Sequence, residues 1–199
     1  PPPPPSRPRR PPSPPPRRLR RQRQMCIRDS FQPVGPAEAE LEADVSETMR
    51  LTLWGASAEM FGPPPDPLPP MEGTGFLDAI GRGQPIPDGL PSWITSDEFE
   101  VYVQQFTTSG FFGPLSWYRN LDADYEITKE LPAPDMPTAF IGGTRDGVIA
   151  RRPEAVEAMA ATLPDFRGTI MIDGAGHWTQ QERPAEFDAA LLELLARVT

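Results

Sequence analysis

The sequence predicts an α/β fold whose β part is small: two parallel strands with covering helices, preceded by a helical region and a disordered Pro/Arg-rich N-terminus. Three observations predict it. TAFIGG (138–143) and GTIMIDG (168–174) are short apolar runs closed by glycines, as buried strands are. PEAVEAMAATL (153–163) and PAEFDAALLELLARV (184–198) open on proline and carry apolar residues at helical spacing. The order strand, helix, strand, helix with short connections gives adjacent parallel strands. Two strands alone bury little core, so the pattern reads as the back half of a larger fold.

Residues 1–30 differ from the rest. PPPPPSRPRRPPSPPPRRLRRQRQ holds eleven prolines and eight arginines. Such a segment cannot bury enough apolar surface to offset its chain entropy and reads as disordered. Residues 1–30 carry a net charge of +8 against −17 for residues 31–199. Three origins fit: a proline-motif ligand, a basic tail for anionic surfaces, or a stretch translated out of frame and joined through MCIRDS. The abrupt change at that hexamer favours the artefactual join.

The helical region spans 31–130 and the β part 131–199. PAEAELEADVSETMRLTLWGAS (36–57) reads as one helix whose acidic face over 36–50 is solvated. FGPPPDPLPPMEGTG (61–75) has six prolines in its first ten residues and reads as a loop. In TSDEFEVYVQQFTTSG, Thr95 and Glu98 have capping-box spacing and Gly110 stands at the stop. GFFGPLSWYRNLDADYE (110–126) is a further short helix entered through Pro114. In the closing helix Phe187, Leu191, Leu194 and Leu195 share one face.

The acidic body makes nucleic acid an unexpected partner. One cysteine, Cys26, excludes an internal disulfide. No run reaches the ~18 apolar residues of a membrane helix, and no signal peptide is recognisable. The default expectation is a cytoplasmic protein without a membrane or nucleic-acid partner, of open oligomeric state.

His177, the single histidine, lies in GAGHW after the second strand, and Asp146 lies in GTRDG after the first. In a parallel sheet both loops leave the carboxyl edge, where open α/β sheets hold their sites. An acid followed by a histidine suits an imidazole held in one tautomer by a carboxylate. A surface histidine and a turn-forming aspartate account for the same spacing. Asp173 is close to His177 in sequence and reads as a strand-end cap or turn.

AELEADVSETMR, VYVQQFTTSGFFGPLSWYRN, PTAFIGGTRDGVI and GAGHWTQQERPAEF resemble the cap and C-terminal part of the soluble epoxide hydrolases, over roughly residues 31–199. The resemblance implies the C-terminal fragment of an α/β-hydrolase fold under a helical cap. It implies His177 as the base that activates water, Asp146 as its orienting acid, and Tyr118 of WYRN as a cap phenol that supports the epoxide oxygen. Trp117 and Trp178 are implied as residues that line or support the pocket. The substrate implied is a small-molecule epoxide, with no metal or organic cofactor. Tyr102 matches a helix position without that role. The second cap tyrosine falls before Phe31–Gln32, where MCIRDS stands. The nucleophilic aspartate and oxyanion loop fall outside what residues 1–30 supply, so the chain as written is expected to be inactive. A dehalogenase or esterase of the same fold, or a non-catalytic remnant with a proline-rich binding tail, are the alternatives.

Overall fold

The computed structural model describes residues 33–62, 75, 77, 80 and 85–198. The Pro/Arg-rich segment, Cys26, the MCIRDS junction and most of the proline loop after Phe61 lie outside the described residues.

The first stretch forms two helices, α1 (Pro36–Glu42) and α2 (Val45–Gly55), followed by a 3-10 turn at Ala58–Met60. A single helix was expected. The break has a local cause: Asp44 takes an extended conformation and its side chain accepts from the Glu47 N–H at 2.9 Å, starting a new helix. Thr48, fully buried, donates to the Leu41 carbonyl at 2.8 Å and holds the two helices together.

The acidic face is not simply solvated. Glu38 is buried and pairs with Arg119. Glu40 accepts from the Leu77 N–H at 3.1 Å and Glu42 from the Phe111 N–H at 2.9 Å. Each carboxylate satisfies a donor on another segment.

Helix α3 (Ser96–Ser109) starts at the expected capping box, with Thr95 and Glu98 bonded reciprocally. It stops at Gly110, whose φ of 67° the missing Cβ permits. Helix α4 (Phe112–Thr128) begins two residues before Pro114 and runs past residue 126. Pro114 sits in the first turn, where its missing N–H has no partner to lose. Ala37, Leu41, Met49, Phe111 and Leu115 form the core of this helical block, with Phe106 and Phe111 stacked at 4.8 Å.

The β part pairs β1 (Thr138–Gly143) in parallel with β2 (Phe166–Ile172). Helices α5 (Gly147–Ala150) and α6 (Pro153–Thr162) connect them, and α7 (Thr179–Glu182) and α8 (Pro184–Val198) follow. β2 begins before Gly168 rather than at it. Gly168 has φ 116°, and the register slips between Thr138 and Phe140, so the glycine lies at an irregularity inside the strand.

Ile172, Ala175 and Ala190 form the β-part core, with Ile141, Ile170 and Phe187 packed against it. The inward stripe of α8 is half-buried Phe187 with buried Ala190 and Leu194; Leu191 and Leu195 are 39% and 50% exposed. Two strands cover only a narrow stripe of the helix. No helix among the described residues is long and apolar enough to cross a membrane.

Candidate active site

The two strand ends converge because glycines let them. A Cβ on Gly143, the last residue of β1, would stand 2.1 Å from the Ala175 carbonyl oxygen. The loops can therefore run against each other: Thr144 N–H donates to the Ile172 carbonyl at 3.0 Å and Arg145 N–H to that of Ala175 at 2.8 Å. This contact carries Asp146 to the loop that bears His177.

Nδ1 of His177 lies 3.0 Å from Oδ2 of Asp146. The other carboxylate oxygen of Asp146 accepts from the Val148 N–H at 2.7 Å, capping α5. Asp146 is buried, while the imidazole is about half exposed. A carboxylate tied at one oxygen and facing Nδ1 with the other favours the tautomer that carries its proton on Nδ1. Asp173 is occupied elsewhere, accepting from the Thr144 hydroxyl at 3.2 Å. The strand-end role expected of it agrees with that bond.

The imidazole is braced from the helical block. His177 N–H donates to the Ala56 carbonyl at 3.0 Å, and the Trp178 indole N–H to that of Leu53 at 2.9 Å. The Trp178 ring meets the imidazole edge-on, centroids 5.5 Å apart. Trp178 thus supports the histidine.

Tyr118 and Trp117 stand on α4. With Gly113 and Pro114 they line an open concavity of about 540 Å³; Tyr118 is 45% and Trp117 77% exposed. The residue after Tyr118 anchors that helix: Arg119 Nη2 donates to Glu38 Oε2 at 2.9 Å, and Nη1 approaches Oε1 at 2.6 Å off the hydrogen-bond axis. The guanidinium holds the Glu38 carboxyl at about 2, well below its ordinary 4.5. A second concavity, of about 430 Å³, lies between α3 and α7 and is lined by Trp93, Tyr102 and Gln181 among others. There the Gln181 amide donates to the Tyr102 hydroxyl.

No family model matches the chain. It is 41% identical over 177 residues to epoxide hydrolase A of Mycobacterium tuberculosis, covering 83% of this chain and 50% of that protein. It is 33% identical to the bifunctional epoxide hydrolase 2 of Rattus norvegicus, over 83% of this chain and 28% of that one. In three dimensions it matches epoxide hydrolase A of Mycobacterium thermoresistibile with a TM-score of 0.70 and 34% identity, over 90% of this chain. The chain belongs to the epoxide hydrolase family. Its fold is accordingly that of part of an α/β-hydrolase, and it spans about half the length of the mycobacterial relatives.

Sequence reasoning missed Glu182 and the turn at residues 56–58, which together hold the His177 loop. Glu182 accepts from Ala58 N–H and Gly176 N–H, both at 3.0 Å, and from Trp178 N–H at 3.2 Å. A glutamate in a polar one-turn helix carries no distinguishing signal in a single sequence. The Glu38–Arg119 pair was missed for the same reason, since 81 residues separate its members.

Proposed function

We propose that this chain carries the water-activating half of an epoxide-opening site. The reaction is ring opening of a small-molecule epoxide to a vicinal diol through an alkyl-enzyme ester. A carboxylate attacks an epoxide carbon and the C–O bond breaks. The phenol of Tyr118 donates to the oxygen as it becomes an alkoxide. His177 then takes a proton from water through Nε2 and the hydroxide attacks the ester carbonyl; the ester C–O bond breaks, the imidazolium and the new carboxyl each give one proton to the two alkoxide oxygens, and the diol and the carboxylate are released. Asp146 keeps the Nδ1 proton in place and stabilises the imidazolium that forms. No step in this scheme requires a metal or organic cofactor.

The observation that supports it is the Nδ1–Oδ2 contact of 3.0 Å between residues on successive strand ends. Residues 31–130 serve as the cap and residues 131–199 as the C-terminal part of the core in this reading. The attacking carboxylate comes from outside the 199 residues. Asp146 is committed to Nδ1 and the Val148 N–H, and Glu182 to three backbone donors.

Styrene oxide and a fatty-acid epoxide, offered to the purified 199-residue chain, should give no diol above background. Turnover abolished by His177→Ala would overturn the assignment of the nucleophile to another segment. A longer reading frame that adds a strand–Asp–helix elbow should restore diol formation. Halide release from a haloalkane without diol formation by that longer protein would replace epoxide by another substrate class.

A further inference from the structure

We propose that Glu182 is a positioning residue that sets the His177 loop by gathering three backbone N–H groups onto one carboxylate. The proposal rests on the reading of His177 as the base. Three successive amides of the loop are all tied. Gly176 N–H donates to Glu182 Oε2 at 3.0 Å and Trp178 N–H to Oε1 at 3.2 Å. His177 N–H, between them, donates to the Ala56 carbonyl at 3.0 Å. The second bond to Oε2 comes from Ala58, 124 residues away, where the 3-10 turn follows α2. One side chain therefore fixes the histidine loop and joins it to the helical block in a single register.

The sequence around Glu182 is built for this reach. Thr179–Glu182 is one helical turn, which returns the glutamate over the loop it follows. Thr179 Oγ1 donates to the Gly176 carbonyl at 2.8 Å, closing the turn. Gly176 leaves the space: a Cβ there would stand 2.6 Å from Glu182 Oε1 and 2.3 Å from the Ala58 nitrogen. Carboxylate–amide bonds are charge-assisted and directional, so the backbone on both sides of His177 has one arrangement. That arrangement is the one in which Nδ1 meets Asp146.

Because the chain has a single histidine, ¹⁵N-histidine NMR of the 199-residue protein reads one imidazole. The wild type should show the Nδ1–H tautomer with a slowly exchanging Nδ1 proton. Glu182→Ala should lose that proton signal and shift the tautomer toward Nε2–H. Glu182→Gln, which keeps one acceptor oxygen and turns an amide donor toward a backbone N–H, should give an intermediate spectrum. Should Glu182→Ala not fold, Glu182→Gln decides. A wild-type imidazole spectrum in Glu182→Gln, with or without a lower melting temperature, would overturn the proposal and leave Glu182 a structural brace. Asp146→Asn separates the two readings: if it too leaves the tautomer unchanged, the acid–base pair itself fails. If it changes the tautomer and the Glu182 variants do not, only the positioning role fails.

Discussion

Asp146 and His177 are 31 residues apart in the chain and meet at 3.0 Å, each at the end of a strand in the same parallel pair. The meeting depends on Gly143, because a side chain there would press into the Ala175 carbonyl. Gly143→Ala should therefore separate the two loops. The expected outcome is a loss on the order of 2–3 kcal/mol, typical of overpacking a close contact, together with loss of the Nδ1–H signal of His177. Denaturant unfolding and imidazole NMR on the same sample check it.

Asp146→Asn keeps the size of the side chain and an oxygen for the Val148 N–H. It replaces the acceptor facing Nδ1 by a group that can present N–H instead, which favours the wrong tautomer. In a longer protein that forms the ester, hydrolysis of that ester should slow on the order of 10³- to 10⁴-fold, the scale found when the acid of a catalytic triad is amidated. Ester formation should change little. Single-turnover measurement separates the two steps.

Tyr118→Phe makes the opposite split. The phenol is half exposed on α4, so its removal should alter stability by less than about 0.5 kcal/mol. Ester formation in the longer protein should fall by roughly 10²-fold, the scale for losing one donor to a developing oxyanion. Ester hydrolysis should persist. A variant that slows hydrolysis alone would remove Tyr118 from the ring-opening step.

The Glu38–Arg119 pair gives a pH signature. The Glu38 carboxyl sits near 2 in the folded chain against an ordinary 4.5, chiefly because of its bond to Arg119. A depressed carboxyl contributes stability that is complete above about pH 4.5 and is lost as the pH falls toward 2. Glu38→Gln should cost about 2 kcal/mol at neutral pH, below the range for a fully buried pair because both side chains keep slight exposure. The difference in melting temperature between wild type and Glu38→Gln should shrink across that acid window. A constant difference would remove the ion pair as its cause.

The parts legible in the sequence were those set by local chemistry. Thr95 and Glu98 announce a helix start because both bonds lie within one turn. TAFIGG and the GAGHW loop announce strand ends because glycine and apolar runs have few other uses together. What was not legible depends on distant partners. Asp44 is one polar residue in a helix-forming stretch until its side chain caps Glu47. Glu38, Glu40 and Glu42 look like a solvated face until Arg119, Leu77 and Phe111 supply donors from elsewhere. The pairing of Asp146 with His177 was legible from chain order and resemblance, whereas the carboxylate of Glu182 holding that loop was not.

The closing helix puts the same lesson into numbers. Periodicity alone places Leu191, Leu194 and Leu195 on one apolar face, but only Leu194 is buried, at 6% exposed. Leu194→Ala should cost about 2–3 kcal/mol, the lower part of the range for a leucine removed from a core. Leu191→Ala and Leu195→Ala should each stay within about 1 kcal/mol, because their side chains already meet solvent in this chain. In a longer protein in which further core covers α8, the same two substitutions should become as costly as Leu194→Ala. Urea unfolding of the three variants in both lengths makes the comparison. Equal costs in the 199-residue chain would mean that α8 presents a wider face to the sheet than Phe187, Ala190 and Leu194 alone.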